Sequence, residues 1–142
     1  MLSVNRYSQE HIDASRARVD AQLSTYRALV RAAKKTKASP LASALDSFEP
    51  VFFNIMVLAL DSCFTHRARG MEGKDGNPLN EVRVLCTSMV ENDGLMGADK
   101  TIKLDPSKSV LGYDVGDEIR VTEAAFVRLS DAYFSEVEKR YT

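Results

Sequence analysis

Tryptophan is absent from this 142-residue chain, cysteine occurs twice, proline four times and glycine seven times. The two cysteines, Cys63 and Cys86, stand 23 residues apart inside apolar runs, with no CxxC pair and no loop framework around them. That pattern favours small buried hydrophobes of a reducing cytoplasm over a disulfide or metal pair. The few glycines form neither a P-loop nor a dinucleotide fingerprint, and GxSxG, HExxH, paired ExxH and EF-hand spacings are all missing. No metal and no cofactor is therefore expected. The opening MLSVNRYSQEH lacks the apolar stretch of a signal peptide, which points to a cytoplasmic protein. Long apolar runs are scarce too. The longest, Val51 to Phe64, holds 11 apolar residues of 14 and is broken by Asn54, Asp61 and Ser62. It is too short and too polar to span a bilayer, so no membrane partner is expected.

What is present is the make-up of a folded domain: 44% hydrophobic and 27% charged residues, far from the composition of disordered chains. The length suits one domain over residues 1–142, with enough chain to bury a core without staples. The net charge of −1 is unevenly spread, since residues 1–37 hold eight Lys/Arg against three Asp/Glu. A basic first segment admits nucleic-acid binding as a third functional reading. It equally suits a helix that pairs with an acidic body, and Arg31, Lys34, Lys35 and Lys37 suit the negative end of a helix dipole.

Periodicity predicts about four principal helices. From Ser8, an N-cap type, to about Thr36 there is no Pro or Gly, and Ile12, Val19, Leu23, Tyr26, Val30 and Ala33 recur at steps of three and four, with Arg16 filling the one gap. A helix that long can outrun a small core, so part of its seam is expected to serve a homodimer. A short turn of helix follows from Ser39 to about Ser47, and Pro50 starts a central helix to about Arg69. Its first half is apolar on nearly every side, as expected of an element surrounded by others. Asn77 and Pro78 read as the N-cap and first residue of a third helix ending near Val90, and Thr122 caps a last one to about Tyr141. Between these two, Thr101–Leu104, Ser109–Tyr113 and Glu118–Thr122 are short β-like runs separated by turns. The expected class is thus α+β, mainly helical, with a small antiparallel β-ribbon before the C-terminal helix.

Chemistry gathers between Asp61 and Arg83. Asp61 sits in an apolar helix and requires a cation or donors, because a lone buried carboxylate costs several kcal/mol. Asn54, Asp61, Thr65 and Arg69 step by seven, four and four along one helical stripe, which nominates Arg69 as that cation. The loop before Pro78 ends at a helix N-terminus, where Lys74 and the amides beside Asn77 suit an anion. His66 is the one histidine in the interior of the chain, and Asp61 or Glu72 is the candidate to orient it. Asp61 and His66 are five apart, about 140° around a helix, which argues against direct contact. These residues support first a non-catalytic module that binds a small anionic ligand through Asp61, His66, Arg69, Lys74 and Asn77, or that binds a protein. The alternative is a small acid/base enzyme using His66 with Asp61 or Glu72.

Overall fold

The computed structural model describes residues 3–142, and in it the helical periodicities become helices in chain order. The first, α1 (Gln9–Lys34), is opened by Ser8, whose hydroxyl accepts from the His11 amide. Ile12, Val19, Leu23 and Tyr26 are buried, and the gap at Arg16 is filled by its pairing with Glu138 at 2.6 Å and its position over the Phe134 ring. The second, α2 (Ser39–Ser62), runs 24 residues without a break. The expected short segment and the expected Pro50 helix are therefore one element. Pro50 removes only the bond to the Asp46 carbonyl, at an exposed position where water can replace it. One turn, α3 (Arg69–Glu72), precedes α4 (Pro78–Glu91) and α5 (Glu123–Tyr141). Asn77 Oδ1 accepts from the amides of Leu79 and Asn80, and the Thr122 hydroxyl accepts from Ala125. The pair α2 and α5 forms the centre, and α1 and α4 each pack against both. Phe53, Leu60, Leu85, Phe126, Leu129 and Tyr133 meet there, fully buried.

The expectation of an α+β class is wrong. Among the described residues there is no strand, and the three β-like runs form no ribbon; the only pairings are isolated bridges, Leu95 with Glu118 and Val4 with Arg67. The runs do have the alternating apolar content of strands, and Ile102, Ile119 and Val121 are buried. What differs is where their backbone groups go. Asn54, on α2, donates to the Ile119 carbonyl at 2.8 Å and accepts from the Val121 amide at 3.0 Å, so one side-chain amide does the work of a neighbouring strand's peptide. Glu81, on α4, accepts from the amides of Val110 and Leu111 at 2.8 and 2.9 Å. The Lys103 amide donates to the Lys74 carbonyl at 3.0 Å. With these backbone groups satisfied by α2, α4 and the loop before α4, the connection needs no ladder. Gly76 permits its close approach: its φ is +84°, and a Cβ there would collide with the Lys103 carbonyl.

Candidate functional site

The corner that follows α2 is built on Arg67 and Ala68, which leave the turn at His66 and run beside Val4. The Val4 amide donates to the His66 carbonyl, the Ala68 amide donates to the Val4 carbonyl, and the Tyr141 hydroxyl donates to the Ala68 carbonyl, each at 2.7 Å. This clamp turns Arg67 inward, where its side chain is 1% exposed. Arg67 donates to Asp61 at 2.7 Å and to Glu72 at 2.9 Å, and also to the carbonyls of Phe64 and Leu79 and to the Tyr133 hydroxyl. Glu72, 0% exposed, receives Arg83 on both carboxylate oxygens, at 2.6 and 3.0 Å, and Asn80 at 2.8 Å. Two cations and two carboxylates thus close on one another.

The titration behaviour follows from this closure. Burial works against the charge on Arg67, but the oxygens of Tyr133, Asp61 and Glu72 outweigh it and hold the guanidinium more firmly protonated than usual. Burial likewise pushes the Glu72 carboxyl up, while hydrogen bonds from Arg83 and the charge of Arg67 prevail and hold it below its ordinary value. Glu81 is the reverse case: burial raises it, and the Leu111 and Val110 amides only partly compensate. Burial keeps Tyr133 a neutral phenol and pushes the Cys86 thiol up to about 12, which leaves that cysteine a poor nucleophile.

The nominated residues do not share one site. Asp61, with a side chain 23% exposed, lies in the network, but its cation is Arg67 and not Arg69. The reason is local: α2 ends at Ser62, so the stripe that would carry Asp61 to Thr65 and Arg69 is not continued as helix, and both Thr65 and Arg69 are exposed. His66 is exposed as well, while Asp61 and Glu72 are engaged by arginines. Asn77 is buried beneath the start of α4, where it donates to Asp75 and to the Glu72 carbonyl. Its acceptance of two N-terminal amides, and the donation of the Gly76 amide to Asn80, leave that helix start occupied by the chain's own groups. Lys74 is exposed at its rim, and Arg140 meets Asp75 and the Glu72 carbonyl. Among the described residues no three His, Cys, Asp or Glu side chains gather as metal ligands would.

A second feature, which the residue types did not announce, is the outward side of α2. Phe53, Met56, Val57 and Leu60 face the core. On the opposite side Leu41 (36% exposed), Phe48 (40%), Val51 (57%) and Ile55 (58%) face outward, with Ala44 exposed and Leu58 half-buried in the same row. The three charges of the helix lie off this row. Glu49 accepts from the Glu123 amide, Asp61 is held by Arg67, and Asp46 lines a cleft with Tyr26 and Lys34. The expectation that the first half of the helix from Pro50 is surrounded by other elements therefore fails on one side, where Val51 and Ile55 are exposed. The missed signal was the 3–4 spacing of the outer row itself. By length and composition α2 is also apolar enough to cross a membrane, unlike the shorter run read from sequence, although its inner side is packed on α1, α4 and α5. The α1 seam, in contrast, is spent within the chain: Val19, Leu23 and Tyr26 are at most 8% exposed.

No protein family matches the chain, and no curated protein or solved structure is similar to it.

Proposed function

We propose that this chain is a non-catalytic protein-interaction module whose docking surface is the outward row of α2. The observation that carries the reading is a charge-free apolar stripe, Leu41 to Leu58, left open to solvent on a helix whose other side is core. Contiguous apolar surface of this kind is uncommon on monomers and characterises binding faces. Helix-in-groove recognition uses anchors at this spacing.

The corner lends less support to an anion site. Arg67 and Arg83 are neutralised by Glu72 and Asp61, and the amides at the start of α4 are taken. Acid–base catalysis draws no support from an exposed His66 whose intended carboxylates are held elsewhere. The basic first helix commits Arg16 to Glu138 and Arg27 to Glu123, which weakens the nucleic-acid reading.

The test is photo-crosslinking in the native host, with a photoreactive phenylalanine analogue in place of Ile55 or, as control, in place of the exposed Asp131 of α5. A protein adduct of defined mass at position 55 and not at 131 is the expected result. Equal or absent labelling at both positions removes the reading.

A further inference from the structure

Building on that docking reading, we propose that the outward row of α2 receives the same row of a second copy of this chain, with the two α2 helices antiparallel about a two-fold axis between Phe48 and Val51. Leu41, Ala44, Phe48, Val51, Ile55 and Leu58 alternate steps of three and four, a 3.5-residue repeat held over 18 residues. A straight helix has 3.6 residues per turn and drifts from such a row, so the strict repeat fits a partner that is itself a helix.

Side-chain size selects the orientation. About that axis, Leu41 meets the partner's Leu58, Ala44 meets the partner's Ile55 and Phe48 meets the partner's Val51, so the smallest residue faces a large one and the largest faces a small one. A parallel pair in register would stack two phenylalanines in one layer and two alanines in the next. That overfills one layer and leaves a void in its neighbour, and packed interfaces tolerate neither.

Charge selects the same arrangement. Lys35 and Lys37 stand exposed in the turn before α2, whereas Asp93 lines the shallow groove shared by Val51, Ile55 and Leu58, and Glu91 is exposed nearby. One end of the row is basic and the other acidic. An isologous interface needs one patch that complements itself, and antiparallel docking brings each basic end to the partner's acidic end with the helix dipoles opposed. A lipid surface fits less well: α2 carries Asp46, Glu49 and Asp61 but no Lys or Arg, and interfacial membrane helices use basic residues to meet anionic headgroups.

The full chain, examined by sedimentation and light scattering across a concentration series, is expected to rise to twice the chain's mass. The Val51→Lys, Ile55→Lys double variant is expected to stay at monomer mass with unchanged circular dichroism. Orientation is read from disulfide trapping against a wild-type background of Cys63 and Cys86. Ala44→Cys and Ile55→Cys copies should cross-link when mixed, and neither should cross-link alone. Efficient cross-linking of Ala44→Cys with itself overturns the antiparallel assignment. A wild type that stays at monomer mass throughout overturns self-docking; if position 55 then labels a different protein, the docking reading survives without it, and if it labels none, both fall. Wild-type monomer that partitions onto phosphatidylcholine/phosphatidylglycerol vesicles, with loss of partitioning in the double variant, assigns the row to a membrane and overturns both.

Discussion

The corner around Arg67 and the outer row of α2 are opposite kinds of surface. The corner is dense with charge and nearly every charged atom in it has a partner; the outer row has no charge and its apolar atoms are left in water. Availability for binding follows what is left unsatisfied, and not how reactive the residue types look. A guanidinium already shared by two carboxylates has little to offer a ligand, because a newcomer must displace a charge-assisted hydrogen bond. An exposed leucine or phenylalanine loses nothing when covered, and each Å² of apolar area removed from water contributes about 25 cal/mol.

If the corner is structural, its removal should be felt as stability and the row's should not. Glu72→Ala takes one carboxylate from the buried Arg67, leaves the half-buried Arg83 without its acceptor and frees Asn80 Nδ2, and is expected to cost about 3 to 5 kcal/mol in urea unfolding. A loss below about 1 kcal/mol would mean that the network is dispensable and would reopen the corner to a binding role. Next in size, Asn54→Ala frees the Ile119 carbonyl and the Val121 amide, with an expected cost of about 1 to 3 kcal/mol. Hydrogen exchange should rise first at Val121, and unchanged protection there would refute the strand-mimic role. The third expectation concerns acid. Glu72 titrates lower folded than unfolded, where its ordinary value is 4.5. As pH falls below that value the unfolded carboxyl takes its proton first, so this group's stabilising contribution is lost as pH drops through the folded value. Glu81, raised by burial, acts in the opposite direction by easing its own desolvation when protonated. A Glu72→Gln variant should therefore show a flatter decline of stability below pH 4.5 than the wild type; an identical slope would assign acid sensitivity to other groups.

The smallest effects belong to sites outside both balances. Tyr7 Oη is, among the described residues, the buried side-chain polar atom with no hydrogen-bond partner. Tyr7→Phe should be neutral or stabilising by up to about 1 kcal/mol, and a destabilised variant would reveal a partner for the hydroxyl. In the outer row, Val51→Lys with Ile55→Lys should leave the unfolding free energy of the monomer within about 0.5 kcal/mol. A larger loss would place these side chains in the core and end the contrast between the two regions.

Much of the helical frame was legible because its signals are local. Ser8, Asn77 and Thr122 cap where their side chains imply, and the rows on α1 and α5 bury as their spacing implies. Errors arose where a distant group decided the outcome. Thr101–Leu104, Ser109–Tyr113 and Glu118–Thr122 have strand composition, but the Lys74 carbonyl, Glu81 and Asn54, tens of residues away, take backbone bonds from the three runs in turn, and no local pattern reveals that. At the site, the need of Asp61 for a cation was legible, while the choice of Arg67 over Arg69 depended on α2 ending at Ser62 and on Val4 clamping the next residues. The outer row of α2 was present in the spacing, yet a helix apolar on two sides looks the same in sequence whether its second side meets its own chain or another.

The connection between α4 and α5 also bears on how the protein avoids uncontrolled association. A bare strand edge is a template on which another chain can extend a sheet. At Val110, Leu111, Ile119 and Val121 that template is withheld, since Glu81 and Asn54 already hold the backbone groups a foreign strand would seek. Capture by side chains fixed on helices makes the segment compact without leaving it open-ended. Growth into fibres through this connection is disfavoured.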